Sequence, residues 1–220
     1  MSLAVLTPSR GRPTGARELA AAIRETATSP VDLIVAVDDD DHSGYTEADG
    51  YVLVRGPAMG LTDWTNALAS TYATSHRFLA SFGDDHRPRT PGWDVALCAA
   101  IERLGGTGFA YGDDLHRGVM LPTAVVASST VVHRLGWLCL PTTRHMYVDK
   151  VWRELGRAAG LIAYCPDVII EHLHPVVSKA QWDRTYQAAA EFYQEDRNVF
   201  EEWERTGKAT DVGRLLAVPA

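Results

Sequence analysis

The feature that most restricts the fold of this chain is the stretch at residues 77–86, where an apolar run ends in Gly83, Asp84, Asp85 and His86. An apolar run of this kind, with aromatic residues, predicts a buried strand. Carboxylates at the end of a buried strand are costly to desolvate unless a cation meets them, and a divalent metal that carries a phosphate is such a cation. In open α/β sheets, ligands bind outside the carboxyl ends of the strands, which is where this pair of acids falls. We therefore predict an α/β fold with a metal-binding element at Asp84 and Asp85.

The composition is that of a globular protein without a general preference for polyanions. The 220 residues suffice for one large domain or two small ones, and 46% of them are hydrophobic, so the chain can bury a sizeable core. The formal net charge of -7 does not suggest non-specific nucleic-acid binding, although it leaves room for local basic patches. The three cysteines, Cys98, Cys139 and Cys165, have no CxxC spacing, which argues against a disulfide framework and a structural zinc site.

The sequence carries no feature that indicates a membrane. Pro8 and Arg10 interrupt the apolar N-terminus too early for a signal peptide. No stretch approaches the roughly 18 apolar residues that a membrane span requires. We therefore expect a soluble, cytoplasmic protein with no membrane partner.

The first part of the chain predicts a βαβ unit. A strand at residues 3–6, a helix at 16–27 and a continuous apolar strand at 31–37 follow one another closely, so the two strands are expected to be parallel. The second strand runs into four aspartates, at residues 38–41. They are interpreted either as a solvated acidic loop or calcium site, or as a functional loop in which one carboxylate accepts the N3–H of a uracil.

The remaining pattern alternates strands and helices in one domain without repeats. Residues 87–92 hold two prolines and a glycine, which predicts a rigid turn, and the tail after Gly207 is expected to be irregular. The predicted strands lie at residues 51–54, 109–111, 122–128, 161–164 and 168–170, and the predicted helices at 61–73, 94–104, 131–135, 147–159 and 180–203.

In this order, the motifs resemble those of the GT-A glycosyltransferases, particularly the family of small inverting enzymes with a DxD-like motif. The resemblance covers residues 3 to about 174. It implies a single α/β domain of GT-A (Rossmann-like) fold, with a mixed, mostly parallel sheet flanked by helices. It also implies a nucleotide-sugar-binding lobe at residues 1–90, an acceptor lobe at 91–177, and a C-terminal helix and tail at 178–220.

The resemblance assigns the donor-binding residues. The family's first loop looks like Thr7-Pro8-Ser9-Arg10, its uracil-contacting aspartate falls within residues 38–40, and its glycine and asparagine look like Gly60 and Asn66. Many members have an arginine just before that asparagine, where this chain has Thr65. The residues implied to bind the donor are therefore Thr7, Pro8, Arg10, Asp38, Asp39, Gly60, Asn66 and Asp84.

The resemblance also implies a metal ion. The DxD motif falls on Gly83-Asp84-Asp85, which lacks the first acid, so Asp85 is the implied ligand and Asp84 contacts the ribose or the donor sugar. His172 or His174 is expected to complete the metal shell; the equally open alternative is a hydrogen-bonded structural histidine. Mn²⁺ or Mg²⁺ suits carboxylate ligands, and a histidine ligand favours Mn²⁺.

Two further acidic sites remain open between function and structure. The family's base, an acid that opens a helix in the second lobe, looks like Asp149, and a base there would give an inverting reaction. Its alternative role is that of a helix N-terminal acid that favours the dipole. The pair Asp113-Asp114 competes with the first pair as a metal site, although a position near the acceptor or on the surface is favoured.

The implied reaction moves a sugar from a UDP-sugar to an acceptor hydroxyl. Compact GT-A enzymes of phages glycosylate hydroxymethylated pyrimidines in viral DNA, so hydroxymethylated DNA is one acceptor, and a viral protein would work in the host cytoplasm. A flipped base would then be needed. Basic residues that can hold phosphates, or that are ordinary surface charges, are Arg87, Arg89, Arg117, Arg134, Arg144, Lys150 and Arg153. A saccharide or small metabolite is the other acceptor, and a sugar nucleotidyltransferase or a non-catalytic sugar-nucleotide-binding module is the alternative function.

Overall fold

The computed structural model describes residues 2–174, 176, 187 and 190–217. The strands are β1 (Leu3–Pro8), β2 (Val31–Asp38), β3 (Val52–Gly56), β4 (Phe78–Ser81), β5 (His86–Pro88), β6 (Phe109–Asp113), β7 (Val125–Ser128) and β8 (Ile162–His172). The helices are α1 (Pro13–Thr26), α2 (Leu61–Tyr72), α3 (Trp93–Arg103), α4 (Ser129–Leu135), α5 (Val148–Ala159), α6 (Tyr193–Glu202) and α7 (Lys208–Leu216).

Within the described residues, the strands form one mixed sheet of eight in the order β3-β2-β1-β4-β7-β6-β8-β5. The β1–β2, β1–β4, β2–β3 and β6–β8 pairs are parallel, and the β4–β7, β6–β7 and β5–β8 pairs are antiparallel. The carboxyl ends of β1, β2 and β4 therefore meet at one edge of the sheet, as the position of Asp84 and Asp85 required.

Hydrophobic layers cover both faces of the sheet. In β1, Ala4 and Leu6 belong to the layer formed with α2, α4 and α5, whereas Leu3 and Val5 belong to the layer formed with α1 and α3. Successive side chains of a strand point to opposite faces, so a strand buried on both sides is apolar throughout. This burial explains why the central strands were visible in the sequence as uninterrupted apolar runs.

Two predictions around the last strands are corrected. The turn predicted at residues 87–92 contains β5, which pairs with β8, and its glycine, Gly92, has a φ of 77° before α3. The two strands predicted on either side of Pro166 are one strand, β8, which bulges there: between Cys165 and Ile169 it advances four residues while β6 advances one, from Gly112 to Asp113. Proline has no N–H to donate to a ladder, which is why the pairing is interrupted at this point.

The C-terminal part is more regular than predicted. The tail after Gly207 forms α7, which buries Leu215 completely, and Arg134 of α4 donates a hydrogen bond to the Leu215 carbonyl. The helix predicted at residues 180–203 lies partly outside the described residues; α6 lies within its predicted bounds. Among the helices that the structure describes, none is both long and apolar enough to span a membrane.

Candidate active site

A cavity of about 510 Å³ opens at the carboxyl edge of the first half of the sheet. It is lined by residues 8–12 at the end of β1 and beyond, Asp38 at the end of β2, residues 59–61 and 64 at the start of α2, and residues 83–85 after β4. Arg144, His145 and Phe192 complete the lining. The cavity thus gathers the ends of three parallel strands and two later segments of the chain.

Hydrogen bonds and ion pairs to aspartate side chains connect the loop after β1 to the loop after β2. Arg10 donates to Asp38 Oδ2 at 2.5 Å and to both carboxylate oxygens of Asp40 at 2.7 and 2.9 Å, and the Gly11 N–H donates to Asp41 Oδ2 at 2.7 Å. The hydrogen bond from Arg10 lowers the pKa of Asp40. Three of the four aspartates are therefore occupied in fixing these loops, while the fourth, Asp39, is exposed.

Asp38 has little free hydrogen-bonding capacity. Its Oδ1 accepts from Trp64 Nε1 at 2.7 Å and from the Met59 N–H at 3.0 Å, while its Oδ2 accepts from Arg10. These contacts connect the end of β2 to the start of α2 beneath the cavity. Asp38 therefore fixes the part of the cavity lining next to which the uracil of the donor is predicted to bind.

The predicted donor-binding residues fall into two groups. Pro8, Arg10, Asp38, Gly60 and Asp84 line the cavity.

Thr7, Asp39 and Asn66 lie outside that lining. Thr7 is fully buried. The Asn66 side chain donates to the Cys139 carbonyl at 2.8 Å and accepts from the Leu138 and Cys139 N–H groups at 2.9 and 2.8 Å. Asn66 thus fastens α2 to the segment before α5.

Asp84 is buried between the first loop and its acidic neighbour. Its Oδ2 accepts from Ser9 Oγ at 2.5 Å and its Oδ1 from Arg12 Nη1 at 3.3 Å. Burial, followed by the negative charge of Asp85, raises the pKa of Asp84 to about 6. At neutral pH this carboxyl is ionised but is far closer to protonation than an ordinary aspartate.

Arg87 holds the turn that carries these acids. Its guanidinium, on a residue only 5% exposed, donates to the Asp84 and His86 carbonyls at 2.8 and 2.7 Å and to Glu18 at 2.6 Å. The interpretation of Arg87 as a phosphate-binding residue is therefore wrong, because its donors face backbone carbonyls and a carboxylate. Its role is structural: it fixes the geometry of residues 84–86.

Asp85, His86 and His172 form a compact group of metal-ligand atoms, all within 4.8 Å of one another. Asp85 Oδ1 lies 3.3 Å from His86 Nδ1, Asp85 Oδ2 lies 3.4 Å from His172 Nε2, and the two rings stack with centroids 4.3 Å apart. Burial opposes ionisation of Asp85, but hydrogen bonds from His172 and His86 outweigh it and hold the pKa of Asp85 well below its usual range. His174 contacts His172 edge-on at 5.0 Å and lies outside the group.

The donor set of this group fits a divalent transition metal. His86 Nε2 and His172 Nδ1 are buried and have no hydrogen-bond partner within the described ranges. A carboxylate with imidazoles is a set that Mn²⁺ and similar ions accept. Sequence reasoning found Asp85 and His172 but gave no role to His86. Its signal was present, since it directly follows Asp85, but the strand that aims it at His172 was predicted as a turn.

Asp149 lies in the first turn of α5 and is flanked by cations. Its Oδ1 accepts from the Lys150 N–H at 2.7 Å, and Lys150, Arg153 and Arg117 act on it electrostatically. Burial nevertheless raises its pKa. Asp149 is not part of the cavity lining. A carboxylate with a raised pKa is a stronger base than one with an ordinary pKa.

The second acidic pair is structural rather than a rival metal site. Asp114 is 3% exposed, and its Oδ1 accepts from the N–H groups of residues 116, 117 and 118 at 2.9, 2.6 and 2.8 Å. Its Oδ2 accepts from Thr123 Oγ1 at 2.8 Å. The surface position favoured from the sequence is therefore wrong for Asp114.

A residue of α6 holds the loop that contributes Arg144 and His145 to the cavity lining. Asp196, which is 1% exposed, accepts from the N–H groups of Arg144, His145 and Met146 at 2.8, 2.9 and 2.6 Å. The Arg144 guanidinium lies 5.0 Å from the Phe192 ring. Asp196 was missed in the sequence because about fifty residues separate it from the loop it binds.

The fold is shared with glycosyltransferases of known structure. A mannosyltransferase, PcManGT from Pyrobaculum calidifontis in complex with GDP-Man and Mn²⁺, is 11% identical, with a TM-score of 0.59 over 97% of this chain and 72% of that one. Glucosyl-3-phosphoglycerate synthase from Mycobacterium tuberculosis, in complex with Mn²⁺, UDP-Glc and phosphoglyceric acid, is 14% identical, with a TM-score of 0.61 over 100% and 81%. TarS 1-349 from S. aureus, in complex with UDP, is 12% identical, with a TM-score of 0.57 over 94% and 74%.

Comparison with protein-family models and with curated proteins gave no match. The structural likeness confirms the predicted fold class: one α/β domain of GT-A type with a mixed sheet flanked by helices.

Proposed function

We propose that this chain is a metal-dependent glycosyltransferase that moves a sugar from a nucleotide-sugar to an acceptor hydroxyl. The observation that carries the proposal is the junction at Asp84 and Asp85, where the cavity at the strand ends meets a carboxylate–imidazole group. The structural neighbours named above were solved with GDP-Man and Mn²⁺ or with UDP-Glc and Mn²⁺, which supports this use of the site.

The donor is a UDP-sugar bound in the cavity by the first lobe, residues 1–90. Asp38 already accepts hydrogen bonds from Trp64, Met59 and Arg10, so the exposed Asp39 next to it is the carboxylate better able to accept the uracil N3–H. Arg12 and Arg144, which both line the cavity, supply positive charge for the diphosphate.

Asp85 and His172 hold the metal ion. When bound, a divalent ion supplies Lewis-acid stabilisation of the negative charge on the leaving nucleoside diphosphate. Asp84, fixed by Ser9 and Arg12, lies beside this position and is suited to hydrogen-bond the ribose or the sugar.

Asp149 is the base that takes the proton from the acceptor hydroxyl, and the reaction inverts the anomeric configuration. Its raised pKa and its place at the start of α5, in the acceptor lobe of residues 91–177, support this role. A product with retained configuration would exclude it.

The acceptor hypothesis that the chain's charges support is a hydroxyl on an anionic substrate, of which hydroxymethylated DNA is one. Arg117, Lys150 and Arg153 flank Asp149. Other members of the predicted basic set are engaged elsewhere, since Arg87 is buried against backbone carbonyls, Arg134 binds the Leu215 carbonyl and Arg89 pairs with Glu171. A saccharide or small metabolite is therefore tested in parallel.

The test is release of nucleoside diphosphate from a panel of UDP-sugars and GDP-mannose, with Mn²⁺ or with chelator, and with hydroxymethylated DNA, unmodified DNA or saccharides present. We expect Mn²⁺-dependent release from one donor, loss of release in Asp85→Asn, and unchanged release in Asp63→Asn, a carboxylate on α2 outside the site. Stimulation by hydroxymethylated but not unmodified DNA would identify the acceptor. Pyrophosphate formation from a nucleoside triphosphate and a sugar phosphate would instead indicate a nucleotidyltransferase, and donor binding without release a non-catalytic module.

A further inference from the structure

The group of ligand atoms at the end of β4 contains one imidazole more than the pair Asp85–His172 requires. We propose that His86 is a third protein ligand of the metal ion, so that the site presents one carboxylate and two imidazoles. This inference rests on the proposed function, because it concerns the same metal. It changes the protein ligand set from one carboxylate and one imidazole to one carboxylate and two imidazoles.

The first step of the argument is the surroundings of the His86 ring. His86 is 4% exposed, and its Nδ1 lies 2.9 Å from the Gly83 nitrogen and 3.3 Å from Asp85 Oδ1. The hydrogen bond from His86 to Asp85 places the ring proton on Nδ1, so the lone pair of the neutral imidazole lies on Nε2. Metal-binding histidines commonly donate their other ring N–H to a carboxylate in this way.

The second step is the absence of other uses for the ring. Within the described residues, His86 Nε2 is buried without a hydrogen-bond partner, and so is Nδ1 of the stacked His172. Buried polar atoms of this kind are rare in native structures, and a site that binds an ion is one established cause. Two such atoms on adjacent rings beside a carboxylate point to a single shared cause.

The third step is preorganisation by the backbone. His86 and His172 are directly opposite each other in the antiparallel β5–β8 pair. The Leu173 N–H donates to the Asp85 carbonyl at 2.9 Å, which fastens the same two segments next to the rings. Arg87 holds the carbonyls on either side of Asp85 from the other direction. The two imidazoles are thus aligned by sheet register rather than by side-chain flexibility.

The fourth step concerns Gly83, which stands where the DxD motif has its first acid. A Cβ at Gly83 would lie 2.5 Å from Asp85 Oδ1 and 3.1 Å from His86 Nδ1. The space for a side chain at this position is therefore occupied by the carboxylate and the ring. An imidazole three residues later takes up the room that an acid would need.

The consequence is metal selectivity. Mg²⁺ prefers oxygen ligands and gives up its water reluctantly, whereas Mn²⁺, Co²⁺ and Zn²⁺ accept imidazole readily. A site with two imidazoles and one carboxylate therefore binds Mn²⁺ in the presence of excess Mg²⁺.

The experiment uses the full chain with Mn²⁺, alone and with UDP. Electron spin-echo spectroscopy counts the ¹⁴N nuclei coupled to bound Mn²⁺, and the free-Mn²⁺ resonance gives the affinity. We expect two imidazole nitrogens in the wild-type protein, one in His86→Gln, and a loss of affinity of roughly tenfold or more in that variant. His116→Gln, an imidazole that stacks on His174 outside the group, is the matched control and keeps both values.

The outcomes separate this inference from the proposed function. One coupled nitrogen in the wild-type protein, or wild-type affinity in a folded His86→Gln, overturns the inference and leaves the metal-dependent transferase standing. No Mn²⁺ binding by the wild-type protein, even with UDP, overturns both. The nitrogen count of the wild-type protein needs no variant, so a His86→Gln chain that fails to fold still leaves a decisive result.

Discussion

Gly83 lacks a side chain at a position where the carboxylate of Asp85 and the ring of His86 leave no room for one. We expect Gly83→Ala to displace Asp85 or His86, because its Cβ would come within 2.5 Å of the Asp85 carboxylate. Mn²⁺ binding, measured by titration, should fall sharply while the far-ultraviolet circular dichroism spectrum is kept.

The matched control is Gly213→Ala in α7, where an added Cβ meets nothing within 4 Å. Alanine in a helix is favoured over glycine by roughly 0.5–1 kcal/mol, so this variant should unfold at a slightly higher temperature with normal Mn²⁺ binding. Normal Mn²⁺ binding in Gly83→Ala would contradict the tight packing described for the turn.

Protonation of Asp149 should cause the fall of kcat/KM at low pH. A base acts when it is deprotonated, and burial raises the pKa of Asp149, so activity should fall with decreasing pH at a higher pH than an exposed aspartate of pKa ~3.9 would give. Asp149→Asn should lower kcat by roughly 10²–10⁴-fold and leave the affinity for the donor unchanged. An acid limb that persists in this variant would assign the limb to another group.

Functional residues could be predicted from the sequence where a chemically suitable side chain stands at the end of a predicted strand. Asp84 and Asp85 were found because they end an apolar strand, and His172 because it ends another. Asn66 matched a family pattern, yet its amide is taken by the backbone of residues 138–139. Asp196 gave no local signal, since its three partners lie about fifty residues away and are backbone N–H groups, which every sequence has.

At the scale of elements, α6 positions the loop that contributes Arg144 and His145 to the cavity lining. In Asp196→Asn, the side chain keeps one acceptor oxygen for three N–H groups, and each lost hydrogen bond to a charged group is worth about 1.5–3 kcal/mol. We expect a higher KM for the donor, by roughly tenfold, because Arg144 and His145 are no longer held at the cavity.

Asp211→Asn is the control for that variant. Asp211 is also a buried carboxylate of the C-terminal segment, but it accepts from Trp203 Nε1 at 2.9 Å and from Arg214 at 3.1 Å, away from the cavity. It should lower the melting temperature without changing KM. If the two variants change KM equally, Asp196 acts only through global stability.

Elements were predictable in proportion to their length and burial. Strands buried on both faces appeared as apolar runs, and helices appeared through their periodicity. β5 was missed because it has three residues, one of them a proline, and its pairing with β8 is set by tertiary contacts. α7 was missed because it is a short helix of nine residues that includes a glycine.

For the whole molecule, the continuous sheet joins the two predicted lobes into one folding unit. β4 of the first lobe pairs with β7 of the second, β5 pairs with β8, and Phe82 packs on Trp93 with ring centroids 5.2 Å apart. We expect a fragment of residues 1–90 to remain unfolded by circular dichroism, and the full chain to unfold in urea in one transition by both fluorescence and circular dichroism. Two separate transitions would show that the lobes fold independently.

Because His86 and His172 lie opposite each other on β5 and β8, the metal site can be completed only after these two strands have paired. During synthesis, Asp85 and His86 leave the ribosome long before His172, so the growing chain has two of the three proposed ligands and no partner strand that carries the third. The ion can be bound by all of these ligands only after β8 has docked between β6 and β5, which requires most of the preceding strands to be in place. A newly made chain that binds its ion through all of them has therefore already joined β8 to the sheet.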